Sequence, residues 1–231
     1  MATLAELTYD ILNTARGGVL SDDETIGFLE VQYWIHNTRA MLIRQDINKG
    51  RTVSGNIIQI LPCLDVDIVD ASTCPCSLPV GCSILRTRNR IPKPIEVDNK
   101  DLIIKVSSIE ISARPYTLIN VARVPFIGNN KFAKLAPKAF YADGYIWLLN
   151  SSPVEKITVW GVFENPTMLK DYVDCSNATC YSDDDEYPIS NWMIPALKQI
   201  IKDNDLKAIL STDTDTTSNA KNDKDNNQQS Q

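Results

Sequence analysis

The side chains best suited to chemistry in this sequence are one histidine, six cysteines and a run of acids. His36 is the only histidine, and it falls within an apolar segment with helical spacing. General acid–base catalysis needs such a side chain in a pocket, beside a partner that orients it. No Gly-x-Ser-x-Gly, His-Glu-x-x-His, Walker A or Gly-x-Gly-x-x-Gly pattern occurs. We therefore predict no catalytic residue and interpret His36 as a packing or surface side chain.

Five of the six cysteines fall into two groups, Cys74, Cys76 and Cys82 in one and Cys175 and Cys180 in the other. Zinc sites usually take a Cys-x2–4-Cys spacing in each half. Cys175 and Cys180 are near that spacing, but Cys74 and Cys76 are closer together than usual, so the signal for zinc is weak. Free thiols, disulfides formed late, and a metal site all remain open. Because reducing conditions in the cytoplasm keep thiols reduced, free thiols are favoured. We predict no metal site and no cofactor.

The acidic run Asp183–Glu186 precedes an apolar-periodic segment. It lacks the alternating ligand spacing and the distal Glu of an EF-hand loop. Acids before a Pro and a periodic run are typical of a helix start, so we interpret the run as a solvated leader of a helix rather than a calcium site.

Basic side chains gather in two groups, which are Arg39, Arg44, Lys49 and Arg51, and Arg86, Arg88, Arg90 and Lys93. In the second group the three arginines alternate along a predicted strand and so share one of its faces. Such a stripe suits contact with DNA phosphates or with an acidic partner surface. A simply solvated strand face is the alternative, and it is favoured.

Composition indicates an ordinary globular chain: 231 residues, 43% of them hydrophobic, with 23 basic and 29 acidic side chains and a formal net charge of −6. Proteins that coat nucleic acid are usually basic, so this balance argues against that role. No stretch approaches the ~20 apolar residues that cross a bilayer. The N-terminus lacks a signal-peptide pattern, so we expect a protein that stays in the cytoplasm where it is made and has no membrane partner.

Helical spacing begins the chain, over residues 3–16 and again from about residue 22 to 45, where Ser21 and Glu24 suggest a capping box. The second helix carries two apolar stripes. One contains Ile26, Leu29, Tyr33 and Ala40, and the other contains Phe28, Val31, Ile35 and Leu42. A helix apolar on more than one face needs neighbours on both sides. Burial in the chain's own core is favoured, and contact of the second stripe with a neighbouring copy is the alternative.

Strand-like segments follow, rich in β-branched and apolar residues, at 56–61, 64–69, 83–88, 102–111, 116–124 and 157–163. Asp143-Gly144 lies between aromatic runs and predicts a two-residue hairpin turn within 140–147. Helical spacing returns in Ile194, Leu197, Ile201 and Leu206. Residues 211–231 are almost wholly polar and predict a disordered tail.

The fold class predicted from this order is α+β, in which terminal helices form a bundle and a central antiparallel β module is inserted between them. The predicted division is N-terminal helices in 1–53, a β-rich module in 54–165, a C-terminal helical region in 166–210 that packs on the N-terminal helices, and the tail 211–231. No internal repeat is apparent.

Several ordered segments carry a family resemblance, and they are SDDE at 21–24, TRAMLIRQD at 38–46, NKGR at 48–51, IQILPC at 58–63, CSILRT at 82–87, GVFENP at 161–166 and EYPI at 186–189. Together they resemble the head-to-tail connector ring proteins of crAss-like phages, podoviruses that infect Bacteroidales. The resemblance extends over about residues 1–210. More distantly, the chain is similar to podovirus adaptor and tail-tubular proteins.

The resemblance implies a non-enzymatic virion protein, a subunit in a ring of twelve copies beneath the portal that extends the DNA channel toward the tail. Its implied partners are further copies of itself, the portal protein or neighbouring tail ring proteins, and the genomic DNA that passes through. A closed ring of identical subunits repeats one heterologous contact, so each subunit needs two complementary patches. Our candidates are the second helix, through Phe28, Val31, Ile35 and Leu42, and the stripe of Arg86, Arg88 and Arg90. The alternative function is a phage accessory or host-interaction binding protein that acts outside the ring.

Overall fold

The computed structural model describes residues 2–15, 26–70, 83–109, 114–129 and 136–207. These residues contain three α-helices and nine β-strands, so the prediction of a mixed helix and strand fold is confirmed. No helix among them is long and apolar enough to cross a membrane. The predicted tail 211–231 lies outside the described residues.

The helices lie toward the two ends of the described chain and the strands between them. The helices are α1 (Leu4–Ala15), α2 (Phe28–Asn48) and α3 (Ile194–Ile201). The strands are β1 (Gln59–Asp70), β2 (Ser83–Thr87), β3 (Glu96–Val97), β4 (Lys100–Asp101), β5 (Ile103–Ser108), β6 (Thr117–Leu118), β7 (Lys138–Ala142), β8 (Tyr145–Leu149) and β9 (Lys156–Gly161). Several 3₁₀ segments connect them, including Val121–Asn129 and Pro166–Asp171.

Helix α1 begins with a capping box that the sequence analysis missed. The Thr3 backbone N–H donates to Glu6 Oε2 at 2.9 Å, and the Glu6 N–H donates to Thr3 Oγ1 at 3.2 Å. Two N–H groups that the helix leaves without internal partners are thereby satisfied. The signal was present as Thr-Leu-Ala-Glu at residues 3–6.

Helix α2 begins at Phe28, six residues later than the predicted start at Asp22. Its N-cap is Gly27, in an extended conformation and without a side-chain cap bond. The predicted capping box at 21–24 lies outside the described residues. The helix continues to Asn48, and its C-terminus is followed by Gly50 at φ +80°, a conformation that glycine adopts without strain.

Strand β1 is continuous where two strands were predicted, which corrects the division at Pro62. The register against β9 shifts between Leu61 and Leu64, and Cys63 has a positive φ of 56°. A bulge of this kind accommodates Pro62, which has no N–H for the ladder, without ending the strand.

Seven strands form one sheet in the order β5-β9-β1-β2-β8-β7-β6, and β3 pairs with β4 in a separate hairpin. Every pair in both sheets is antiparallel except β6 with β7, which is parallel, so one pair departs from the predicted antiparallel module. The two edges of the large sheet approach each other, because the Tyr116 N–H next to β6 donates to Val106 O of β5 at 2.8 Å. The sheet is therefore nearly closed on itself.

The hairpin predicted at Asp143-Gly144 is confirmed, since it joins β7 and β8 in direct register. Asp143 has φ 54° and Gly144 has φ 87°, the two positive values that a type I′ turn requires.

The strand predicted at 116–124 is wrong beyond its first residues. β6 covers only Thr117–Leu118, and the chain then forms the 3₁₀ segment Val121–Asn129. Asn120 directs this change, because its Oδ1 accepts from the Ala122 N–H at 2.9 Å and caps the segment. Its Nδ2 also donates to Asn99 O at 2.9 Å.

Buried apolar side chains form three separate clusters. The helical core joins the three helices to residues of the β-rich region that include Ile95, Val97 and Val162. The sheet core fills the inside of the nearly closed sheet, with Leu61, Val106, Ile146, Ile157 and Val159 among its members. The outer core lies on the other face of β2, β7 and β8, beneath the 3₁₀ segment, and contains Ile84, Val124, Phe140 and Trp147.

Candidate functional site

The four apolar residues of α2 predicted to contact a neighbouring copy face the chain's own core. Val31 and Ile35 are completely buried in the helical core, and Phe28 and Leu42 pack against it while partly exposed. This corrects the contact interpretation for Val31 and Ile35, since side chains with no exposed surface have none to offer a partner. Core burial was the favoured reading of this helix.

Two residues of the other apolar stripe, Leu29 and Tyr33, are exposed, whereas Ile26 and Ala40 of that stripe are buried. Leu29 is 78% exposed and Tyr33 is 63% exposed, and the two lie one helical turn apart. Tyr9 of α1 is 59% exposed and meets Phe28 edge-on, with ring centroids 5.4 Å apart. We call Tyr9, Leu29 and Tyr33 the helical patch. Large apolar side chains grouped in this way mark contact sites more often than single exposed ones.

Within the predicted arginine stripe, the charge of Arg88 is balanced by two carboxylates of strand β1. Its Nε and Nη2 each lie 2.9 Å from an oxygen of Asp67, and its Nη1 lies 3.2 Å from Asp65 Oδ2. The hydrogen bond from Arg88 holds the pKa of Asp67 below its usual value, and the same bond raises the pKa of Arg88. The planar fork of arginine favours such a bidentate pair.

The other two arginines stack on aromatic rings. The Arg86 guanidinium lies 4.3 Å from the ring centroid of Tyr145 and 5.4 Å from that of Trp147. Arg90 lies over the Tyr145 ring at 5.8 Å. The structure thus brings Arg86, Arg88 and Arg90 to neighbouring positions, but their charges are engaged within the chain, by carboxylates or by aromatic faces.

A second set of polar side chains is buried where α2 meets the segment after Tyr181. Arg39 is fully buried, and it donates from Nε to Pro188 O at 2.6 Å and from Nη1 to Phe163 O at 2.8 Å. His36 Nδ1 lies 2.7 Å from the hydroxyl of Tyr187. Burial, aided by the charge of Arg39, lowers the pKa of His36 to about 4, so the ring is neutral at pH 7. These hydrogen bonds join α2 to Phe163 and to the segment that contains Tyr187 and Pro188.

The favoured prediction of free thiols is wrong for Cys175, which forms a disulfide. Cys63, at the bulge of β1, is joined in a disulfide to Cys175, with their Cα atoms 5.3 Å apart. That separation lies within the roughly 4.4–6.8 Å usual for disulfides. Cys180 is a free thiol, and burial raises its pKa. Pairing across 112 residues could not be read from spacing, and Cys74, Cys76 and Cys82 lie outside the described residues.

The acidic run Asp183–Glu186 is exposed, and Asp183 forms an ion pair with Lys170. Within the described ranges no group of three or more His, Cys, Asp or Glu side chains is placed to hold a metal ion.

A surface that the sequence analysis missed lies on and before the 3₁₀ segment. Phe126 is 67% exposed, and Leu118 and Val121 are also exposed. Arg123 is exposed beside them and forms no ion pair with any described residue. We call Leu118, Val121, Arg123 and Phe126 the 3₁₀ patch. A sequence signal did exist, since residues 111–142 contain the five basic side chains Arg114, Arg123, Lys131, Lys134 and Lys138 and no acid.

Grouped apolar side chains on a protein surface mark sites where partners pack. The chain belongs to the family described as phage tail ring protein 2, a family of crAss-like phages, which matches residues 6–224. The family gives the chain a structural role in the phage tail, and the resemblance found in the sequence is confirmed. No curated protein matches the chain.

Proposed function

We propose that this chain is one subunit of a closed ring of twelve identical copies at the head-to-tail connector, coaxial with the portal and extending its DNA channel toward the tail. The observation that carries the proposal is the match of residues 6–224 to a family of phage tail ring proteins. The ring belongs to the virion and assembles in the host cytoplasm.

The packed interior of the sheet supports a channel formed between copies. Leu61, Val106, Ile157 and Val159 point into the nearly closed sheet and are fully buried there. A sheet of this size has room only for its own side chains. Duplex DNA therefore passes through the centre of the ring, not through the sheet of one subunit.

The proposed role needs no catalysis. His36 is the only histidine of the sequence, and its ring is bonded to Tyr187 and held neutral by burial. The net charge of −6 suits a channel wall to which DNA adheres weakly during passage. The proposed partners are copies of the chain, the portal or a neighbouring tail ring protein, and the genomic DNA.

We also propose that the chain is divided into distinct structural parts. Residues 1–53 and 166–210 form a helical bundle and residues 54–165 form the β module, while the predicted tail 211–231 lies outside the described residues. Contacts of α1 and of α3 with α2 support the helical part. The stripe of Arg86, Arg88 and Arg90 remains a proposed contact, and unchanged ring assembly after charge reversal at Arg86 and Arg88 would rule it out.

Electron cryo-microscopy of intact phage particles, focused on the vertex where head and tail meet, tests this proposal. We expect a ring of this chain coaxial with the portal, with a subunit number that can be counted directly. Absence of the chain from that vertex would overturn the proposal in favour of an accessory or host-interaction protein outside the ring.

A further inference from the structure

The two exposed apolar patches belong to different parts of the molecule. The helical patch lies on α1 and α2, which bury their other faces in the helical core. The 3₁₀ patch lies on the segment whose Val124 is buried in the outer core. The two clusters share no residue. A heterologous contact requires such a pair of different surfaces on one subunit, because each copy binds one neighbour with each surface.

The charges beside the two patches are opposite. The described residues 2–15 and 26–33 contain three acids, Glu6, Asp10 and Glu30, and no basic residue. The described residues 114–129 contain Arg114 and Arg123 and no acid. Asp10 forms an ion pair with Lys198, which leaves Glu30 as the exposed acid within α2. Opposite charges at the edges of apolar patches steer two surfaces together and fix their register.

Spacing makes the two patches match in detail. Leu29 and Tyr33 lie one turn apart on α2, and Glu30, three residues before Tyr33, lies beside this pair on the helix surface. On the 3₁₀ segment Arg123 and Phe126 are also three residues apart, and side chains at that spacing lie on the same side of a 3₁₀ helix. Phe126 can therefore pack on Leu29 and Tyr33 while Arg123 meets Glu30.

We infer that the helical patch of one copy binds the 3₁₀ patch of the next copy, and that this is the contact repeated around the ring. The inference rests on the proposed ring and identifies its interface. Tyr, Phe and Arg are side chains that often dominate binding energy at the centre of an interface. Three or four such residues anchor the contact, while a stable interface of about 800 Å² per partner includes further residues around them.

The experiment uses the full chain and two variants, Leu29→Lys and Phe126→Glu, which place a charge of the partner's own sign in each patch. We expect the unaltered chain to form rings, measured by native mass spectrometry across a concentration series. Each variant alone should weaken self-association more than about tenfold. Because both positions are exposed, the thermal unfolding temperatures should stay close to that of the unaltered chain.

An equimolar mixture of the two variants gives the decisive result. The Leu29→Lys chain keeps an intact 3₁₀ patch and the Phe126→Glu chain keeps an intact helical patch, so one productive contact remains possible. We expect association to return as one-to-one heterodimers, and any larger species must alternate the two chains, because its other contact sets the introduced lysine against the introduced glutamate. Rings that persist in either variant alone, or a mixture that remains monomeric while the unaltered chain forms rings, would overturn the inference.

Met168→Asp is the matched control, because Met168 is exposed and apolar but lies outside both patches. It should leave ring formation unchanged. If the unaltered chain forms rings only in the particle, the same question is answered at the vertex by electron cryo-microscopy. A ring in which Leu29 contacts Phe126 of the neighbour supports the inference. A ring joined through other residues overturns the inferred interface but leaves the proposed function standing. Absence of any ring overturns the proposed function itself.

Discussion

At the scale of single residues, Arg39 is the most unusual side chain, since it is fully buried and bonds to backbone carbonyls. Its Nη2 has no hydrogen-bond partner in the described part of the chain, and burial lowers its pKa. We expect Arg39→Ala to lower the free energy of unfolding by about 3 kcal/mol, because it leaves the carbonyls of Phe163 and Pro188 without donors and opens a cavity. Urea unfolding at pH 7 measures this loss.

Arg51→Ala serves as the control for that measurement. Arg51 pairs with Asp46 at 2.9 Å and lies over the Trp192 ring, but its side chain is largely exposed. Exposed ion pairs contribute about 1 kcal/mol or less. Equal losses for the two variants would contradict a special role for the buried arginine. Arg39→Lys should resemble Arg39→Ala, since one ammonium group cannot reproduce the planar fork that reaches both carbonyls.

His36 gives the protein a pH dependence whose sign follows from its pKa. The pKa falls from 6.5 to about 4 on folding, so between those values the unfolded chain binds a proton that the folded chain does not. Stability is therefore greatest above pH 6.5 and decreases as the pH falls toward 4, by about 3 kcal/mol in total. Free energies of unfolding at pH 7 and pH 4.5 measure the effect in a chain without added histidines.

His36→Gln is the comparison that isolates this contribution, because carboxylates also titrate over the acidic part of the range. The variant should lose less stability than the unaltered chain between pH 7 and pH 4.5. Identical losses would show that His36 is not the group responsible. The single histidine of the sequence also gives one ring signal, so nuclear magnetic resonance can follow its pKa directly.

Much at this scale could not be predicted from sequence. The sequence indicates a packing or surface role for the lone histidine, whose ring is bonded to the Tyr187 hydroxyl. The buried hydrogen bond from Arg39 to Pro188 O spans 149 positions, and nothing local encodes it. Of the three arginines of the stripe only Arg86 lies in β2, which ends at Thr87, and Arg88 and Arg90 follow the strand. Their partners Asp67, Tyr145 and Trp147 come from neighbouring strands whose register the sequence does not state.

At the scale of elements, the disulfide between Cys63 and Cys175 joins the bulge of β1 to the segment after the 3₁₀ turn Pro166–Asp171. A bond across 112 residues restricts the unfolded chain strongly, and we expect it to stabilise the folded state by about 4 kcal/mol. Thermal unfolding with and without reductant measures this difference. Peptide mass spectrometry under non-reducing conditions should recover the linked pair.

The control variants for the disulfide differ in one cysteine. Cys63→Ser should remove the sensitivity of stability to reductant, whereas Cys180→Ser should retain it, because Cys180 is a free thiol. A Cys63→Ser chain as sensitive to reductant as the unaltered one would show that another cysteine pair carries the effect.

Elements with regular patterns were predictable and irregular ones were not. The Asp143-Gly144 turn was found because few sequences meet its demand for two positive φ values. Val121 and Val124 have strand propensity, which predicts a strand in the segment after β6. The capping bond of Asn120 and the missing N–H of Pro125 outweigh that propensity, so these two residues were the better signal.

At the scale of the whole molecule, the helical part and the β module share a core, and their proposed boundaries at 53/54 and 165/166 cut through it. Ile95, Val97 and Val162 belong to the β module but pack among Leu7 and Leu197 of the helices. An ion pair between Arg44 of α2 and Glu164 of the β module, at 2.6 Å, also joins the two parts. Parts that share buried apolar surface stabilise each other, so the two should unfold together.

Leu197→Ala tests this cooperativity, because Leu197 is fully buried in α3, far along the chain from the sheet. The lost side chain should cost about 3 kcal/mol. If unfolding is global, amide hydrogen exchange must accelerate by the same factor in the slowest amides of β8 and β9 as in those of α3. Acceleration confined to α3 would mean that the β module is stable without the helices. In that case the boundaries at 53/54 and 165/166 separate true domains, and a ring could change the angle between them during assembly. A shared acceleration makes the subunit one rigid unit, whose shape alone then sets the number of copies that close the ring.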